Sequence, residues 1–251
     1  MRNLLFTISY LGSRFHGFQV QENAVTVAEV LQDAMESVMG NRDDIKGCSR
    51  TDSGVHAEMF CVSVKTECKI PCQNLVRALN VKLPPDVSVK SCVEVPLDFH
   101  ARYNSKGKRY EYRIHNAPYK DAFRYRAVLE HAYPLDVEFL DREVKDFIGT
   151  HDFTSFCAAK TSVKDMVRTI YDCGVFRDGE TVTFYVEGDG FLYNMVRIMV
   201  GTMLAIAAGT IKPNSIPQII QAKNRSAAGA TAPAWGLYLT NVFYDENDLK
   251  M

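Results

Sequence analysis

Thr26-Val27-Ala28-Glu29-Val30-Leu31-Gln32-Asp33-Ala34-Met35-Glu36-Ser37-Val38-Met39-Gly40 carries the signals of a helix from start to stop. Thr26, followed three residues later by Glu29, makes a capping box. Val27, Val30, Leu31, Ala34, Met35 and Val38 form one apolar stripe at helical spacing, and Gly40 ends it. Outward from this helix the pattern is strand-like. Residues 3–10 alternate weakly, and 45–50 and 58–66 read as two further strands. Pro71 suits the first position of a second helix, with Leu75 and Leu79 as its buried face and Pro84-Pro85 as its stop. Residues 87–95 complete the order βαββαβ, a ferredoxin-like unit.

The second half repeats the plan. Residues 107–115 form a strand with Tyr110, Tyr112 and Ile114 on one face. Asp136 caps a helix whose Phe139, Leu140, Val144, Phe147 and Ile148 face inward, before Gly149. Residues 167–176 and 181–187 flank Arg177-Asp178-Gly179-Glu180, a hairpin signal. An apolar helix over about 194–209, a short helix over 215–224 and a last strand over 237–244 follow. The expectation is an α+β protein of two ferredoxin-like halves, 1–105 and 106–251. No sequence repeat links them, and no stretch has linker composition.

Composition narrows the functional classes. The 251 residues are 47% hydrophobic and 24% charged, with a net charge of −1, as in ordinary soluble domains. The N-terminus lacks the apolar run and cleavage site of a signal peptide, and Met195 to Ala208 is too short, and too charged at Arg197, to span a bilayer. Seven cysteines include a lone C-x3-C, Cys68 and Cys72, with no second pair or nearby histidine to complete a zinc site. A cytoplasmic protein with reduced thiols, no metal and no membrane partner is expected.

Three segments carry chemistry. Gly47-Cys48-Ser49-Arg50-Thr51-Asp52-Ser53-Gly54-Val55-His56-Ala57 sets one carboxylate and one guanidinium among small polar residues between two apolar stretches. Such a segment suits a loop that fixes Asp52, since unpaired polar groups are costly in a core. Asp52-Ser53-Gly54 matches the aspartic-protease triplet, but that chemistry needs two carboxylates sharing a proton, and no second copy exists. Arg197, in a nearly apolar helix, needs an acidic or phosphate partner; Glu187 and Asp189 are local candidates and Asp52 a distant one. From His100 to Arg126, Arg102, Lys106, Lys108, Arg109, Arg113, Lys120, Arg124 and Arg126 alternate with Tyr103, Tyr110, Tyr112, Tyr119, Phe123 and Tyr125. Cations interleaved with aromatic rings suit phosphate contact and base stacking. The segment Tyr10-Leu11-Gly12-Ser13-Arg14-Phe15-His16-Gly17-Phe18-Gln19 reads first as a plain loop, with a ligand backbone approaching its two glycines as the second reading.

Taken in order, Gly12 to Gln19, Arg50 to Ala57, Phe99-His100-Ala101-Arg102, Lys108 to Tyr112, Asp152 to Phe156, Gly190 to Arg197 and Gly236 to Leu239 resemble the TruA-type tRNA pseudouridine synthases over essentially the whole chain. The resemblance implies the pseudouridine synthase fold, with two ferredoxin-like halves around a central cleft. It also implies an isomerase, an intramolecular transferase converting uridine to pseudouridine on the 3′ side of the tRNA anticodon stem-loop. It implies a homodimer without a metal or organic cofactor. Asp52 would be the catalytic aspartate, Tyr110 would stack on the target base, and Arg197 would pair with Asp52. Arg50 would help extrude the nucleotide, and Arg14, His16, His56, Arg102 and Arg109 are further candidate substrate contacts.

Leu11, Cys48-Ser49 and Ser53 depart from the family pattern, where an acidic residue, Ala/Ser-Gly and alanine are usual. They remove no catalytic group but leave room for a paralogue acting on another RNA site. The alternative of another class is a silent RNA-binding protein or tRNA chaperone on the same fold. An RRM module is disfavoured, because Lys106-Gly107-Lys108-Arg109-Tyr110 is a poor match to its signature.

Overall fold

A computed structural model describes residues 1–158 and 163–245 and separates the chain into two compact units. Unit 1 comprises Met1–Lys106 and the chain from Leu239 on; unit 2 comprises Gly107–Tyr238.

In unit 1, β1 (Arg2–Tyr10) is followed by α1 (Val27–Met39), β2 (Ile45–Gly47), β3 (His56–Thr66), α2 (Cys72–Lys82) and β4 (Val87–Val95). β1 is central and antiparallel to both neighbours, with Phe6 opposite Val62 of β3 and Cys92 of β4. α1 begins as the capping box requires. Thr26 Oγ1 accepts the Glu29 N–H, and Gly40 closes the helix at φ 86°, a left-handed conformation that glycine adopts without steric cost. Val27, Leu31, Ala34 and Met35 are buried; Val30 and Val38 only half so. Pro71 stands one place earlier than expected, at the N-cap of α2. β2 ends at Gly47; Cys48 N–H still donates to Cys61 O of β3 at 2.8 Å before the chain enters the Asp52 loop.

In unit 2, β5 (Gly107–His115) pairs with β9 (Thr181–Gly188), β9 with β8 (Val167–Asp178), and β8 with β7 (Gly149–Asp152), all antiparallel. A two-residue strand β6 (Leu129–Glu130) runs parallel to the end of β5. α3 (Val137–Val144) packs against β8 and against α4 (Met195–Ala207), and α5 (Ile216–Ala222) follows. Tyr110, Tyr112 and Ile114 are buried on one face of β5, as their period of two requires.

β10 (Leu237–Phe243) changes the expected division of the chain. From Leu239 it belongs to unit 1, beside β3, rather than closing the second half. Its end is tied there: Lys106 N–H donates to Phe243 O at 2.8 Å, Tyr244 Oη to Ala101 O at 2.6 Å, and the Tyr244 ring lies 5.3 Å from Phe99. The chain therefore crosses between units at Lys106–Gly107 and again at Tyr238–Leu239. No disulfide joins the seven cysteines. Among the described residues no helix is long and apolar enough to cross a membrane.

Candidate active site

The Asp52 loop and the segment 12–18 form one structure within unit 1. Thr51 Oγ1 and Tyr10 Oη are 2.8 Å apart. Phe18 N–H donates to Thr51 O, Gly54 N–H to Phe15 O and Val55 N–H to Asp52 O. Buried His56 accepts the Gly12 N–H at Nδ1, 2.9 Å away, which fixes that ring's tautomer with its proton on Nε2. The two glycines have a reason within the protein. A Cβ on Gly12 would lie 1.9 Å from Val55 O, and one on Gly17, at φ 87°, would lie 2.4 Å from Thr51 O. The backbone that approaches them is the Asp52 loop's own. Asp52 itself is half-buried.

Unit 2 supplies Tyr110 and Arg197. Tyr110 is buried edge-on against Phe191, with ring centroids 5.2 Å apart. Tyr112, two residues on and on the same face, donates its hydroxyl to Pro233 O at 2.8 Å. Burial pushes the Tyr112 phenol up, opposed by the positive charge of Arg197. Arg197 stands in the first turn of α4. Its Nε donates to Ala232 O and its Nη1 to Asn194 Oδ1, both at 2.7 Å. Its two local acidic candidates are engaged elsewhere: Glu187 with Arg109, and Asp189 with the Thr169 N–H.

The expected substrate contacts divide into three groups. Arg50, Arg14, His16 and Arg102 are exposed in unit 1; Arg14 reaches Asp86 with Nε 3.1 Å from its Oδ2. His56 has no exposed surface, and its Nδ1 is taken by the Gly12 N–H. Arg109 lies on the opposite face of β5 from Tyr110, bound to Glu187 at 2.8 Å and Glu111 at 3.2 Å, with its guanidinium 4.3 Å from the Tyr185 ring centroid. Arg113 bonds Glu111 and stacks on Tyr238, and Arg124 pairs with Asp121. Much of the basic tract is thus spent on the protein's own acids, while Tyr103, Tyr119, Phe123 and Tyr125 stay exposed. Among the described residues no cluster of His, Cys, Asp and Glu could hold a metal ion.

A family model described as tRNA pseudouridine synthase matches residues 7–104 and 144–245. The chain belongs to the tRNA pseudouridine synthase family. It is 44% identical to tRNA pseudouridine synthase A of Acetivibrio thermocellus, over 97% of this chain and all of that protein. The corresponding protein of Caldicellulosiruptor saccharolyticus is 43% identical with the same coverage, and that of Exiguobacterium sibiricum 42% identical over 98% of each chain. The architecture of this synthase is α+β, as expected for the family.

Sequence reasoning missed the parts of the synthase that hold Arg197. Asn194 takes a left-handed conformation, φ 61°, immediately before α4, a conformation asparagine tolerates better than most residues. The stretch 229–232 lies directly against α4. A Cβ on Gly201 would stand 1.7 Å from Ala230 O, and Gly229 N–H donates to Thr202 Oγ1. A glycine inside an apolar helix was the available signal.

Proposed function

We propose that Asp52, Tyr110 and Arg197 act together on one uridine of tRNA, and that Asp52 is the group that attacks it. The enzyme is an isomerase of the tRNA pseudouridine synthase family. The observation that carries the role of Asp52 is its loop, whose backbone is fixed by Tyr10, Phe15, Phe18 and the tightly apposed Gly12 and Gly17. A loop immobilised around one half-buried carboxylate suits a reaction in which a nucleophile must be aimed.

The chemistry needs few groups. The target nucleotide leaves its stack, which costs about a few kcal/mol; exposed Arg50, two residues before Asp52, is suited to take the vacated place. The bond between N1 and C1′ breaks, the ring turns, C5 bonds to C1′, and the C5 proton leaves as N1 gains one. No atom is gained or lost, so no cosubstrate is called for. Asp52 has three competent routes: attack at C1′, attack at C6, or assistance to a glycal. Tyr110 would stack on the ring and take part in removal of the C5 proton. Arg197 contributes a positive charge whose position is set by Asn194 and Ala232.

Family resemblance supports a target on the 3′ side of the anticodon stem-loop, a homodimer engaging one tRNA, and a cytoplasmic location. Pseudouridine has the mass of uridine, so the test is chemical. Unmodified tRNA incubated with the protein should acquire carbodiimide-dependent reverse-transcription stops in the anticodon arm. Stops elsewhere would move the target. Absence of stops in every tRNA, at concentrations that bind, would remove the enzymatic reading.

A further inference from the structure

The loop from His100 to Tyr103, with Lys46 of β2 and Arg50, lines a concavity of about 410 Å3 within unit 1. That is within the range that holds a small organic ligand. Three cations line it, Lys46, Arg50 and Arg102, against the single carboxylate of Asp44. Asp44 pairs with Lys46 in exposed surroundings, where such pairs are weak. Among the described residues neither the Arg50 nor the Arg102 guanidinium has an acidic partner.

The same wall carries an aromatic platform. The His100 and Tyr103 rings lie 4.3 Å apart at 40°. His100 Nδ1 accepts the Arg102 N–H at 3.0 Å, which requires an unprotonated Nδ1. Burial, followed by the charges of Lys46 and Arg102, pushes the ring's pKa down, so it is a neutral stacking surface near pH 7. Flat rings beside unspent cations are the two requirements of single-stranded nucleotide binding. Asp52 is two residues from Arg50, at most about 7 Å along the backbone, roughly the step from one nucleotide to the next.

We propose that this concavity is a second nucleotide site, holding an unstacked RNA nucleotide beside the target uridine. Its base lies on His100 and Tyr103, and its phosphate is met by Arg102 and Lys46. This inference rests on the tRNA reading above.

Tyr103 is 78% exposed, so truncating it opens no cavity and leaves the fold intact. The test is the Kd for an unmodified tRNA transcript, measured by fluorescence titration alongside kcat, for the wild type, Tyr103→Ala, Tyr103→Phe and Lys46→Gln. Tyr103→Ala should weaken binding about five- to a hundredfold, the loss of one stacked base, with kcat at saturation within about twofold. Tyr103→Phe should bind like the wild type, because the ring is kept. Lys46→Gln should reduce the salt slope of binding by about one. A Tyr103→Ala Kd within about twofold of wild type would overturn the site. So would a Tyr103→Phe as impaired as Tyr103→Ala, or a loss of self-association with unchanged tRNA affinity. If the wild type modifies no tRNA yet Tyr103→Ala still loses affinity, the nucleotide site stands and the isomerase reading falls.

Discussion

At the scale of single residues, the Asp52 loop is held by contacts too close to tolerate one extra carbon. Gly12→Ala would press a methyl group onto Val55 O. Such overpacking costs about 1–3 kcal/mol, so Tm should fall by a few degrees and turnover should fall with it as the loop shifts. Thermal unfolding and single-turnover assays check both; an unchanged Tm would contradict so close an approach of Val55 O to Gly12. His100 gives a prediction in pH. Burial and the nearby Lys46 and Arg102 hold its folded-state pKa below the ordinary 6.5. The unfolded chain therefore takes up the proton first, and the stability present above the unfolded pKa is lost as pH falls through the folded one. Between pH 7.5 and 5.5 the urea midpoint of the wild type should drop more than that of His100→Gln. His131 is also lowered by burial, but it is common to both proteins and cancels. Equal drops would contradict the depressed His100.

At the scale of elements, α4 sets two effects against each other. Alanine is about 1 kcal/mol better than glycine in a helix interior, which alone predicts that Gly201→Ala stabilises. The methyl group would meet Ala230 O at 1.7 Å, in the stretch that carries the Arg197 acceptor at Ala232. Backbone cannot yield as a side chain can, so the clash wins: net destabilisation is expected in denaturant melts, and a stabilised variant would refute the close packing. This element also shows what a sequence withholds. α1 was legible because Thr26, Glu29, the apolar stripe and Gly40 are all local signals. β7 and β6, four and two residues long, exist by pairing with β8 and β5 and leave no periodic trace. The partner of Arg109 was hidden likewise: Glu187 is opposite it only once β5 and β9 are in register. The apposition of Gly201 with the 229–232 stretch is purely tertiary.

At the scale of the whole molecule, the residues proposed for the chemistry stand out in the sequence, whereas their surroundings do not. Asp52, Arg50, Tyr110 and Arg197 stand out by residue type in an unlikely context, whereas the return of β10 to unit 1 has no sequence signal, because a final strand pairs equally well with either half. The near-neutral net charge of −1 fits the finding that Arg109, Arg113 and Arg124 neutralise internal acids and leave a restricted set of cations for RNA. The role proposed for Arg197 needs more than charge. Arg197→Lys keeps the charge but cannot reproduce the paired bonds to Ala232 and Asn194. A loss of about a hundredfold in turnover is expected from the misplaced cation, and single-turnover rates near wild type would show that any cation suffices. Asp52→Asn decides whether Asp52 does chemistry or only binds. Single-turnover pseudouridine formation and tRNA affinity are measured on the same preparation. No detectable turnover, with a Kd within a few-fold of wild type, is expected; substantial residual turnover, or an affinity lost in step with activity, would remove Asp52 from the chemistry.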